Sequence, residues 1–144
     1  MRYTYFLFIY PYIKRKMHYP ASYKFGKEQE AKVLPLLREY FGRDIQPYEG
    51  QYAKHDFFCD KMDYELKSRK VRRTSYPDTM ITANKMCGEK PLCLVFSFTD
   101  CLTYIMWDEE AFKQFRCELF GREGSEPQEH YYIPIENLTI IEVY

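Results

Sequence analysis

Apolar and polar positions alternate with a period of two along the stretch that starts at Phe57-Phe58. A polar step follows at Asp60-Lys61, and then Met62, Tyr64 and Leu66 alternate with Asp63, Glu65 and Lys67. Such alternation is the mark of a half-buried strand, and two runs flanking a short polar step predict a β-hairpin. With a loop of two residues (Asp60, Lys61) or four (Cys59 to Met62), Phe57 faces Tyr64 and Asp56 faces Glu65. A loop of odd length would turn Asp56 to the other face, because a slip of one residue inverts every side chain.

The rest of the chain changes period. Tyr23 to Phe41 carries Leu34, Leu37 and Phe41 on one helical stripe, with Glu30 on the same stripe, and Gly42 as its stop. Pro35 inside that pattern is expected to kink the helix or split it. Asp44 to Tyr52 reads as a first strand, broken near Pro47 and Gly50. Thr74-Ser75-Tyr76-Pro77-Asp78 is a helix-start signal, so Thr79 to Met86 is expected as a short helix, followed by a turn at Met86 to Lys90. Pro91 to Trp107 predicts a second hairpin broken at Thr99-Asp100, its run LCLVFSF buried on both faces. Asp108 opens a helix with Phe112 and Phe115 inward, ending near Gly121. A polar loop at Glu123 to Glu129 leads to one or two short strands in Tyr131 to Tyr144. The order predicts an α+β (α/β-like) domain with a central mixed sheet flanked by helices.

Composition bounds this picture. A chain of 144 residues with 46% hydrophobic and 19% aromatic content excludes disorder and suits one core. Zero net charge excludes a general binder of nucleic acid acting through a strong positive field, so any such binding is local. Five cysteines, odd in number and without a CxxC, predict reduced structural thiols and a cytoplasmic or nuclear setting. Residues 1–22 read as an N-terminal extension ahead of a single domain at 23–144, with Met17 as the expected true start. The apolar run Tyr3 to Ile13 falls short of the roughly 20 residues of a membrane span. A membrane partner is therefore not expected, and an anchor is the weaker reading of that run.

The hairpin carries the chemistry. Opposed on adjacent strands, Asp56 and Glu65 would have Cβ atoms about 4.5 to 5.5 Å apart. Carboxylates that close repel unless a cation lies between them, and an all-oxygen site suits Mg²⁺, with Mn²⁺ as substitute. Lys67 lies on the same face as Glu65, roughly 6 to 7 Å along the strand, where it can hold a water. The chain holds two acid-x-Lys triplets, Glu65-Leu66-Lys67 and Glu30-Ala31-Lys32; only the first follows an aspartate and ends a strand pattern. After it come Arg69, Lys70, Arg72 and Arg73, four basic residues in five positions. Such a run suits phosphate contacts. Lys85 either reaches nucleic acid or complements the dipole of the expected helix. His18, His55 and His130 are scattered and receive no catalytic role.

Asp56, a gap of eight residues, then Glu65-Leu66-Lys67 resembles the signature of the PD-(D/E)XK nucleases, the restriction endonuclease-like and resolvase-like superfamily. His55 stands where that family's nominal proline would be. The resemblance implies an αβββαβ core from about Phe25 to Trp107 and a magnesium-dependent deoxyribonuclease of the repair or recombination kind. By it, Asp56 and Glu65 ligate the metal, the Leu66 carbonyl adds a ligand, and Lys67 assists the water. Glu30, with Glu28 as competitor, matches an acidic residue that relatives supply from the first helix. DNA is the implied partner, and a homodimer is the implied way to cut two strands. The alternative is a catalytically inactive module of the same fold that binds nucleic acid or scaffolds a protein complex.

Overall fold

The computed structural model describes residues 20–50 and 52–144. Met17 and the run Tyr3 to Ile13 lie outside the described residues, so the expected extension is described only in its last three positions. The chain divides into two compact units, 1–32 and 33–144, with the boundary inside the first helix.

Two helices and nine strands make up the described residues. They are α1 (Pro20–Phe41), β1 (Gln46–Pro47), β2 (Phe57–Phe58), β3 (Asp63–Ser68), β4 (Asp78–Thr82) and β5 (Leu92–Ser97). After these come β6 (Cys101–Met106), α2 (Glu109–Phe112), β7 (Arg116–Phe120), β8 (Gln128–Pro134) and β9 (Thr139–Val143). A six-stranded sheet runs in the order β1-β2-β3-β5-β6-β9, and a three-stranded sheet in the order β4-β8-β7. β3 and β5 are parallel; the other neighbours are antiparallel. The fold is mixed α+β.

Each face of the large sheet carries its own core within the 33–144 unit. On one side Tyr64, Phe57, Cys93 and Val95 pack with Val33 and Leu37 of α1 and with Ile45. On the other, Leu92, Leu94 and Phe96 of β5 pack with Ile81 of β4, Ile133 of β8 and Phe112 of α2. β5 is buried at all six positions, as its uninterrupted apolar run dictates. Gly42 ends α1 at φ +62°, its amide donating to the Arg38 carbonyl at 2.9 Å. That left-handed position is one glycine adopts without steric cost.

Four expectations are corrected. α1 runs through Pro35 unbroken; the residue is exposed, so water can satisfy the carbonyl that the missing N–H leaves over. The strand expected over Asp44 to Tyr52 is reduced to Gln46–Pro47. Thr79 to Met86 is not a helix but β4 followed by the 3₁₀ turn Ala83–Lys85. Thr79 and Ile81 are buried while their neighbours are not, a period of two that β-branched side chains favour and that outweighs the Pro77 start signal. The helix opened by Asp108 stops at Phe112, and Arg116–Phe120 forms β7. Asp108 still caps it, accepting from the amides of Glu110 and Ala111. The second helix of the expected αβββαβ core is thus absent, and the face it would cover packs instead on the three-stranded sheet. Neither described helix is long and apolar enough to cross a membrane.

Candidate active site

The hairpin is built in the expected register, with Phe57 opposite Tyr64 and Phe58 opposite Asp63, closed by the Cys59 amide on the Met62 carbonyl at 2.9 Å. The register then shifts. The Asp56 amide donates to the Tyr64 carbonyl at 3.0 Å, one residue short of Glu65, so Asp56 and Glu65 are not ladder partners. The Asp56 carboxylate has another use: its Oδ2 accepts the Leu66 amide at 2.7 Å. The amides of Asp63 and Arg69 point to β5. Strand alternation therefore turns the peptide groups of Leu66 toward β2, where Asp56 prolongs the ladder with its side chain.

Glu65 is the centre of the site and is only 3% exposed. Its Oε1 meets His55 Nδ1 at 3.0 Å, and its Oε2 lies 3.5 Å from both Lys67 Nζ and Lys85 Nζ. A buried carboxylate is tolerated when cations and donors surround it in this way. His55, 5% exposed, has its Nε2 3.0 Å from the Cys87 carbonyl. A carbonyl only accepts, so Nε2 carries a proton, and the Nδ1–Oε1 contact requires one further proton between imidazole and carboxylate. His55 therefore lies against Glu65, a contact that the sequence reading did not anticipate.

Beside it, Asp63 accepts from the Tyr48 hydroxyl, and Lys90 Nζ lies 3.9 Å from the same oxygen. The Tyr48 phenol is pushed up to about 12, first by that hydrogen bond and then by burial. A hollow of about 510 Å³ lined by Tyr48, Lys54, His55, Asp63 and Gly88 opens on this side. A second cleft, of about 350 Å³, is lined by Lys67 and Arg69 and by residues of the turn between β7 and β8.

The remaining expected residues scatter. Glu30 belongs to the 1–32 unit and pairs with Lys27 at 3.4 Å. Lys85, set against a helix dipole or a nucleic acid, sits instead on a 3₁₀ turn against Glu65. Arg69 is committed internally: its Nε donates to Thr79 Oγ1 at 3.2 Å, another of its nitrogens donates to the Met80 carbonyl, and its guanidinium lies over the Phe96 ring. Burial draws its pKa down. Lys70 and Arg72 are exposed, and the Arg73 backbone amide donates to Asp100 Oδ1 at 2.9 Å.

The donor set fits a hard divalent cation by type. Asp56, Glu65 and the Leu66 carbonyl are all oxygen ligands, which Mg²⁺ and Mn²⁺ prefer. Among the described residues no group of three or more His, Cys, Asp and Glu side chains converges as ligands would. Two ammonium groups already compensate Glu65 Oε2. No family model, no curated protein and no solved structure matches the chain.

Proposed function

We propose that the chain is a metal-dependent nuclease, an endonuclease that hydrolyses phosphodiester bonds in DNA. The observation that carries the reading is Glu65 Oε2 beside Lys67 Nζ at 3.5 Å on one face of β3, with Asp56 anchored to the intervening Leu66 amide. Asp56, Glu65 and the Leu66 carbonyl would hold Mg²⁺, or Mn²⁺ in its place. The ion would supply charge neutralisation at the phosphate and a lowered pKa for the attacking water. Lys67 orients that water and offsets developing negative charge. His55 fixes the rotamer of Glu65 through Oε1, leaving Oε2 toward the lysines. Lys70 and Arg72 would take flanking phosphates, while Arg69 braces β3 against β4. Glu30, in the other unit and paired with Lys27, carries no part of this argument.

The test is cleavage of labelled single-stranded, duplex, flapped and four-way-junction DNA with Mg²⁺ or Mn²⁺. Glu65→Gln and Lys67→Ala are expected to keep the wild-type circular dichroism and to lose about 100-fold or more of the rate, the usual scale for general acid–base and electrostatic groups. Folded variants that cut as fast as wild type would remove the proposal.

A second reading, a catalytically silent nucleic-acid-binding or scaffolding module, is favoured by one observation. Glu65 is buried and already compensated by His55, Lys67 and Lys85. Calorimetry with Mn²⁺ separates the two, since a catalytic site binds the ion and loses it in Asp56→Ala, whereas a silent one shows no carboxylate-dependent heat.

A further inference from the structure

We infer that the cleft between the end of β3 and the β7–β8 turn is a subsite for one unpaired nucleotide next to the bond that is cut. The inference rests on the nuclease reading for what happens to the strand, and on the cleft alone for what binds.

Its walls have the chemistry of a single nucleotide. Lys67 enters from β3, held by Glu65 at 3.5 Å, so the same ammonium borders both the carboxylate site and the cleft. Arg122 faces it from the turn and makes no hydrogen bond or ion pair with its side chain among the described residues. An unengaged guanidinium is suited to bidentate capture of a phosphate. Phe120, 46% exposed, stands edge-on to the His130 ring with centroids 5.7 Å apart, which leaves an aromatic surface for a base to stack on. Gln128, another lining residue, accepts from the Asn84 side-chain amide at 3.0 Å. Glu126, also in the lining, is the one carboxylate there and disfavours a second phosphate on that side.

Size decides the form of the ligand. A volume of about 350 Å³ lies at the small end of ligand pockets, room for one nucleotide. A duplex has its bases stacked and paired and presents only its backbone and groove edges, so it cannot place a base face on Phe120. The cleft therefore selects single strands, flaps or extruded bases.

The test is fluorescence anisotropy with a labelled oligothymidylate of about eight nucleotides, a typical length for single-strand sites, against a duplex of equal length. It is done in EDTA so that neither metal nor cleavage enters. Wild type is expected to bind the single strand at least tenfold more tightly than the duplex. Phe120→Ala should weaken single-strand binding about 5- to 100-fold, the usual effect of losing one stacking platform, and leave duplex binding within about twofold. Arg122→Ala should weaken it and lower the salt slope by about 0.7, one phosphate contact on a single strand. Equal affinity for the two forms, or single-strand affinity unmoved by both variants, overturns the subsite. If single strands bind through Phe120 and Arg122 and are never cut with Mg²⁺, the subsite stands and the nuclease reading falls. If DNA is cut and Phe120→Ala changes neither affinity nor strand preference, the reverse holds.

Discussion

His55 and Glu65 are each buried with the other as partner, so neither can be removed cheaply. In His55→Ala both Glu65 Oε1 and the Cys87 carbonyl lose their donor. A buried acceptor left unsatisfied costs about 1 to 3 kcal/mol, so with two of them the variant is expected to lose about 2 to 6 kcal/mol in urea unfolding. A loss within about 0.5 kcal/mol, the range of neutral surface changes, would mean that the two acceptors are hydrated. The sequence made Glu65 and Lys67 legible as neighbours on one face, because alternation along β3 is regular. It hid His55 for a specific reason. Strict alternation from Phe57 puts His55 on the Tyr64 face, away from Glu65, and only the shift at Asp56, whose amide reaches Tyr64, turns it over. The same shift removed the expected Asp56–Glu65 pair. Arg69 misled in another way: charge alone suggested phosphate contact, while Thr79 and Met80, distant by ten and eleven positions, supply its hydrogen bonds.

At the scale of elements, the two hairpins and the buried strand β5 were readable because their patterns are local and uninterrupted. β4 and β7 were not. β4 follows a proline that suits a helix start, and its partner β8 begins 46 residues after it ends. β7 has all five residues exposed, so it has no buried stripe to declare a period. The turn that joins β7 to β8 depends on Gly121, where an added Cβ would lie 2.9 Å from Pro127 Cα and 3.1 Å from its nitrogen. Gly121→Ala is expected to cost about 1 to 3 kcal/mol, as overpacking against rigid backbone does, and to weaken single-strand binding by displacing Arg122. Gly26→Ala is the control with the opposite sign. It has open space around it within α1, and should raise stability by about 0.5 to 1 kcal/mol. Thermal melts of both decide the matter; a neutral Gly121→Ala would mean that the turn relaxes freely.

For the whole molecule, zero net charge stands against a long-range positive field. Under the proposed function, affinity for DNA would then depend on a few cations around one cleft, since a surface of mixed sign gives little steering at a distance. The mixed sheet was legible as a class from the alternation of strands and helices, but its completion by a second sheet was not, since that depends on pairings between remote segments. One of those pairings also sets a timetable. β3 and β5 lie side by side in parallel, so residues 69–91 must cross over before that ladder can close. Hairpins close locally in microseconds, whereas contacts across such a span wait for loop closure. Val95→Ala, at this seam, should therefore speed unfolding by nearly the whole of its stability loss and leave refolding almost unchanged in a stopped-flow chevron. A refolding rate that falls in step with stability would place the crossover early instead. Lys85 is carried on that crossing segment, so Glu65 acquires its second ammonium only when the crossing is complete. On the proposed reading, the site would then be among the last parts of the chain to assemble, and a protein still folding would have its strands before it had the means to cut.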